Sequence, residues 1–456
     1  MIYLERKGLP TVSIASSGFQ KDTVATAKAF GMETAPFVTI PCVITSVSPE
    51  ESSREIEKQI DSIVNGLTNP DSLTIDSSDE EAYRADGPSI TFKGKDKLDA
   101  WENFNKDFLD KGWGDGFPLV PPTEERVNEL LSGTTLPSEH IVGHLPPGMG
   151  IATVKKIAIS SAMAGCEPAH LPVIIAACKS IIQMGGRARQ WLMSTSPDAP
   201  FMLVNGPIVD ELGINSKQAT LGPGRQSRVN VILGRALRLT LMNVGHNYPG
   251  EMDMDTIGSA AKFSLCAAES QDNFPEIWPQ FHASKGFSQS SSTVTVGGVR
   301  NIIDAADLNN YEPEPLLRGV SGAITGRGGY TSLRWSDPDP YDPEGGTGTI
   351  VILAPDHAEI CAKEGWSKEM VRDFLWANTK ISAASLQNSF RINPSFLLKP
   401  WRWILDLPND QARTTEFPGF ERPEKIELMS FGGPAGKSMV MFLNGPTQTV
   451  EISDRV

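Results

Sequence analysis

Apolar and polar positions along this chain follow two periods, one near two residues and one near three and a half. "PTVSIAS" (10–16) and "APFVTIPC" (35–42) read as short buried strands. Between them "DTVATAKAFG" (22–31) has helical spacing and ends at Gly31, a good helix stop. Ser48, Pro49 and Glu51 then supply an N-cap, a first-turn proline and a capping-box glutamate. The helix they open carries Ile56, Ile60, Ile63, Val64 and Leu67 at spacings of three and four. Residues 1–67 therefore predict a small Rossmann-like β-α-β-α unit. Two parallel strands cannot cover both faces of a sheet, so the unit is expected to add its strands to another part of the chain or to another chain.

The pattern breaks over 68–97, which is polar, acidic and rich in Ser, Asp and Gly, as in a linker. Periodicity resumes with a helix around Asp99–Leu109, and Thr123 caps the next one ahead of Glu124 and Glu125. Helices and strands alternate over 139–300. Among them, Thr153–Ala164 is an amphipathic helix stopped by Gly165, and the segment behind Pro172 is apolar nearly all round through Ala177. A strand runs into Asn205-Gly206-Pro207, and Thr349–Leu353 is another. "EKIELMSFGGPAGKSMVMFLNG" reads as two strands joined by a glycine-rich loop. The prediction is α/β, with the small N-terminal unit followed by a larger mixed α/β domain over 98–456, itself divided near 340.

Composition narrows the function classes. With 456 residues, 39% of them hydrophobic and 21% charged, the chain has material for a sizeable core. No apolar run reaches the roughly 18–20 residues that span a bilayer. "MIYLERKGLP" has no apolar signal-peptide region, so a cytoplasmic protein is expected. A net charge of −14 argues against a nucleic-acid or membrane-surface partner. The five cysteines form no CxxC pair and are expected as free thiols.

Several constellations can carry chemistry. "AMAGCEPAHLPVIIAAC" places Cys166, Glu167 and His170 in a loop just ahead of a buried helix. There a thiolate or bound carboxylate would meet the helix dipole, and the histidine could serve as base. The competing reading is a packed turn. In "SLCAAESQDNFPEIWPQFH", Cys266 and Glu269 share a face if the segment is helical, and the carboxylate would raise the thiol's pKa. With His246 and His282 these cysteines and His170 could also supply a zinc or iron site, although no local ligand spacing marks one. A strand ending at Asn205, followed by Gly222, Gly224, Arg225, Arg228 and Arg235, resembles a carboxylate or phosphate site, or else a structural turn. "GWGDGFPLVPP" offers Trp113 and Asp115 as pocket-lining residues. "FGGPAGKS" (431–438) fails the P-loop spacing and reads as a turn between strands, while Asp356 and His357 follow a strand's carboxyl end, with helix capping the favoured role for Asp356.

The N-terminal segment "LERKGLPTVSIASSGFQKDTVATAKAFGMETAPFVTIP", with "SPEE" after it, resembles the latter part of the UGSC-type (seleno)protein domain. That family is named for a Sec/Cys-Gly-Ser-Cys motif ahead of such a segment. "MAGCEPAHLPV", "VNGPI", "LGRALRL" and "APDHAEICAKEGWSK" are similar to a protein group associated with that domain. The sequence holds no Cys-Gly-Ser-Cys and begins after the place where the motif would fall. The resemblance therefore implies a reactive Cys or Sec borrowed from a small UGSC-like subunit, or lost.

These readings converge on an enzyme, or its large subunit, acting on a small anionic metabolite by lyase- or reductase-type thiol chemistry. Cys166, Glu167, His170, Cys266 and Glu269 are the catalytic candidates. Trp113, Asp115, Asn205, Arg225, Arg235 and His246 are the substrate-binding candidates. The alternatives are a zinc- or iron-dependent hydrolase or lyase, and a non-catalytic subunit that docks a UGSC-like partner or forms a homo-oligomer. No cofactor is specified by any motif, and a transition metal stays open.

Overall fold

The structure, a computed structural model, describes residues 2–5, 7–20, 23–24, 27, 36–42, 47–69, 89–269, 274–325, 347–390, 399–420 and 422–456. In the N-terminal unit β1 (Ser13–Ser16) and β2 (Phe37–Ile40) pair in parallel, Ser13 with Phe37 through Ser16 with Ile40. The helix expected over 22–31 lies mostly outside the described residues. After Ser48, whose side chain accepts from the Glu51 N–H at 3.2 Å, the expected single helix is two: α1 (Pro49–Glu57) and α2 (Ile60–Thr68). The linker expected over 68–97 also lies largely outside the described residues.

The larger region opens with α3 (Lys97–Asp110) and α4 (Glu124–Leu131), the latter capped by Thr123 as its sequence predicts. The hairpin β3 (Ile141–Leu145) and β4 (Gly150–Thr153) leads into α5 (Val154–Ala164), which ends at Gly165 with φ 88°. Then come α6 (Leu171–Met184), α7 (Gly186–Leu192), β5 (Ala199–Asn205) and α8 (Arg228–Asn243). The chain continues through β6 (Cys266–Ala268), β7 (Thr293–Ala306), α9 (Pro313–Thr325), β8 (Gly348–Leu353), α10 (Pro355–Lys363) and α11 (Lys368–Asn378). A small antiparallel pair, β9 (Lys380–Ser382) with β10 (Glu416–Pro418), precedes β11 (Ile426–Ser430), β12 (Lys437–Leu443) and β13 (Gln448–Glu451).

One mixed sheet organises this region, in the order β11-β8-β12-β7-β5-β6, with β13 also on β7. Strands from both sides of residue 340 share it, so a domain boundary there would cut the sheet. Side chains alternate between the two faces of the sheet, as a period of two requires. Phe201, Leu203, Ile350, Ile352, Met429 and Met441 fill the inner face. Met202 and Val204 face the core built on α5, α6 and α8, while Val351, Leu428 and Val440 face the core under α9 and α11. The sheet curls until its two ends meet, for Glu269, one residue past β6, accepts from the Ser430 N–H at the end of β11 at 3.1 Å. β11 and β12 are not neighbours, as a tight turn would make them. β8 lies between them, and loop 431–436 crosses its end. Among the described residues no single helix is long and apolar enough to cross a membrane.

Candidate functional site

The loop 166–170 is tied to its surroundings through its own polar groups. The Cys166 N–H donates to the Ser161 carbonyl at 3.0 Å, and its carbonyl accepts from Arg126 Nη2 at 2.9 Å. The Glu167 N–H donates to His170 Nδ1 at 3.0 Å, so the histidine caps the turn. Burial pushes the Cys166 thiol up to about 12 despite the nearby Arg126 guanidinium, and pushes the His170 imidazole below its ordinary value. Burial thus opposes the activation expected for this thiol and favours its protonated form at neutral pH. Glu167 points outward to an exposed pair with Arg228 at 3.4 Å.

The second cysteine fares alike. Cys266 lies in β6 rather than on a helix, and burial alone raises its thiol. Glu269 is instead joined to Asn205, whose Nδ2 donates to Oε2 at 2.8 Å, so two residues 64 apart in sequence form one buried group. Arg235, expected to hold a substrate carboxylate, makes a bidentate pair with Asp115, Nε to Oδ2 at 2.7 Å and Nη2 to Oδ1 at 2.9 Å. It also donates to the Phe117 and Pro118 carbonyls, so its fork is spent on fixing the 112–118 loop. Arg225 is exposed, on a turn stitched together by Asn215, Ser227 and Asn230. His357 is buried between Ser438 Oγ and the Asp307 carbonyl, and Asp356 accepts from the Gly436 N–H. Among the described residues no three His, Cys, Asp or Glu side chains converge as a metal-binding group.

Three predicted residues do meet around an open space. Trp113, Asp115 and His246 line a cleft of about 1490 Å³ between the end of α3, the end of α8 and the 248–263 segment. Trp113 stands edge-on to Phe108, with ring centroids 5.1 Å apart, and its carbonyl accepts from Asn243 Nδ2 at 2.9 Å. Tyr248 Oη donates to Asn243 Oδ1 at 3.4 Å, linking the tryptophan loop to the histidine loop. Lys262 bridges Asp253 and Asp255 at 2.7 Å each, and Arg238 pairs with Asp253 at 3.0 Å. The cations of this wall are thus committed to its carboxylates.

His246 adopts φ 56°, the left-handed region that non-glycine residues rarely occupy. The neighbouring hairpin pins it there. Gly148 N–H donates to the Gly245 carbonyl at 2.8 Å, and a Cβ at Gly150 would stand 1.9 Å from the Val244 carbonyl oxygen. Such held strain concentrates at working sites. Burial keeps the His246 imidazole below its ordinary pKa, assisted by Lys156, so it is neutral at pH 7. Burial likewise pushes the Tyr248 phenol up to about 12, leaving it a proton donor. Tyr248 and Lys262 are cleft residues that sequence reasoning missed; "HNYP" could have flagged the tyrosine two residues beyond His246, but no local signal marks Lys262.

Among known families, the UGSC family model matches residues 1–69. No curated protein matches the chain. The molecule is thus a mixed α/β protein on a curled sheet, with an N-terminal segment similar to the UGSC family.

Proposed function

We propose that this chain is an enzyme that binds a small metabolite in the Trp113–His246 cleft and moves a proton with His246. The reading rests chiefly on one observation: a neutral imidazole, strained and held from behind by the 148–150 hairpin, on the wall of the cleft. A neutral histidine is a competent base at neutral pH, and the protonated Tyr248 phenol, with its ring centroid 6.2 Å from that of His246, is a suitable donor beside it. A base that takes a proton from carbon while an acid protonates the group that departs from the neighbouring carbon performs an elimination, which is lyase-type chemistry. The thiol chemistry expected from the sequence has less support, because burial keeps Cys166 and Cys266 protonated.

A thermal-shift screen of small metabolites tests the reading. Compounds that stabilise the wild type should lose their effect in Trp113→Ala and His246→Gln, while both variants keep a melting temperature near that of the parent. Hits that stabilise all three proteins equally would place the substrate elsewhere.

A second reading, docking of a smaller UGSC-like subunit, has its own support. The segment similar to that family has a parallel sheet of two strands among the described residues, and Ile14 on β1 is 40% exposed. Mild purification from native cells should then bring down a stoichiometric small chain bearing Cys- or Sec-Gly-Ser-Cys. A fully active lone chain would end that idea.

A further inference from the structure

Away from the cleft, the closure of the curled sheet buries an unusual set of polar groups. Glu269 is 1% exposed, and three neutral donors already hold its carboxylate: Asn205 Nδ2 at 2.8 Å and the Phe281 N–H at 2.5 Å on Oε2, and the Ser430 N–H at 3.1 Å on Oε1. Lys368, at the start of α11 and also buried, reaches Oε1 only through a long ion-pair contact of 3.5 Å. Its ammonium also lies 4.9 Å from the centre of the Phe274 ring.

An ammonium carries three donors, and buried polar groups are nearly always satisfied. Among the described residues Lys368 Nζ has only the long contact to Glu269 to occupy its three donors, and the Ser430 and Thr293 hydroxyls have no partners. Thr293 pairs across the sheet with Asn205, whose Oδ1 is unmatched too. Fully buried His282 follows Phe281, and its ring lies against the backbone of Ser288 and Gln289, which works against the lowering of its pKa by burial. So many outstanding groups around one carboxylate–ammonium pair exceed what a finished core tolerates.

We propose that this cluster is a binding site for a small carboxylate, with Lys368 as its countercharge and the Ser430 and Thr293 hydroxyls as donors. The chemistry selects the class. The unmet groups at the pair are mostly donors, which calls for an acceptor-rich ligand. A single ammonium already shared with Glu269 suits a compact monoanion rather than a phosphate dianion. Burial lowers the ammonium's pKa while Glu269 opposes that shift, so an arriving anion would further favour the charged amine. None of these residues lines the Trp113–His246 cleft, so the proposal stands independently of the function assigned there.

The test is thermal unfolding against sodium formate and sodium acetate, with sodium chloride at matched ionic strength as reference. The wild type should show saturable stabilisation by one of the carboxylates beyond chloride. Lys368→Met should abolish it. Ser430→Ala should weaken apparent affinity by about 2- to 10-fold, the worth of one hydrogen bond. His246→Gln should respond like the wild type. If Lys368→Met does not fold, Ser430→Ala and Thr293→Val carry the test in its place. A wild type that responds to the carboxylates no more than to chloride would mean the cluster holds only water, and would overturn the proposal. So would an undiminished response in the lysine variant or in both hydroxyl variants, or loss of the response in His246→Gln.

Discussion

The 166–170 loop and the Glu269–Lys368 cluster are opposite kinds of place. The loop puts a cysteine, a glutamate and a histidine within five consecutive residues. The cluster gathers Asn205, Glu269, Lys368 and Ser430 from β5, the end of β6, α11 and β11. Yet the loop is the quiet one: His170 Nδ1 caps the turn, Arg126 takes the Cys166 carbonyl, and the thiol is desolvated. The cluster keeps an amide oxygen and two hydroxyls unmatched, around an ammonium with one long carboxylate contact. Residues close in sequence readily satisfy one another within a turn. Residues brought together by a closing sheet are constrained by the strands that carry them, and their polar groups are left facing whatever the fold encloses.

The largest expected effect separates the two carboxylates. Glu269→Ala strands a buried ammonium and three N–H donors, and should cost about 3–5 kcal/mol in urea unfolding. Glu167→Ala removes one exposed ion pair and should cost below about 1 kcal/mol. Equal losses would erase the distinction. Next comes Gly133, where an added Cβ would lie 1.9 Å from the Pro168 carbonyl oxygen in the quiet loop. Gly133→Ala should destabilise by about 1–3 kcal/mol and speed alkylation of Cys166 as the loop is displaced. An unchanged alkylation rate would show that this packing does not hold the loop.

Thiol reactivity probes the same contrast more gently. Cys166, Cys178, Cys266 and Cys361 are buried, whereas Cys42 is partly exposed. Ellman's reagent should therefore find one fast thiol in the native chain and five after denaturation, with Cys42→Ala removing the fast one. Rapid native labelling of Cys166 would restore the reactive-loop reading. The smallest effect concerns pH. Burial lowers the pKa values of His170, His246 and His282 from 6.5, so the unfolded chain binds protons more readily there. Their contribution is present above pH 6.5 and lost as pH falls through the lowered folded values. Melting temperature should thus drop on acidification below that point, and His170→Gln should shallow the drop. A histidine variant with an unchanged acid limb would refute the linkage.

Much of the frame was legible beforehand because its causes are local. Ser48 and Thr123 cap the helices their spacing announced, Gly165 stops α5, and β5 ends at Asn205. The site was legible only in fragments. Trp113, Asp115 and His246 line one cleft, but Arg235 turned inward to Asp115, a partner 120 residues away that no local pattern could assign. Lys368 drew no notice, since a lysine opening an amphipathic helix looks solvated until the tertiary fold buries it.

By itself, the sequence determined many of the elements, several of their caps and the alternating faces of the strands, since these follow from periods of 3.6 and 2 and from side chains acting within a turn. Only the tertiary structure decided which polar groups are spent and which are left over. That depends on burial and on partners far away in the chain. The same desolvation that silences Cys166 leaves Lys368 with donors to give.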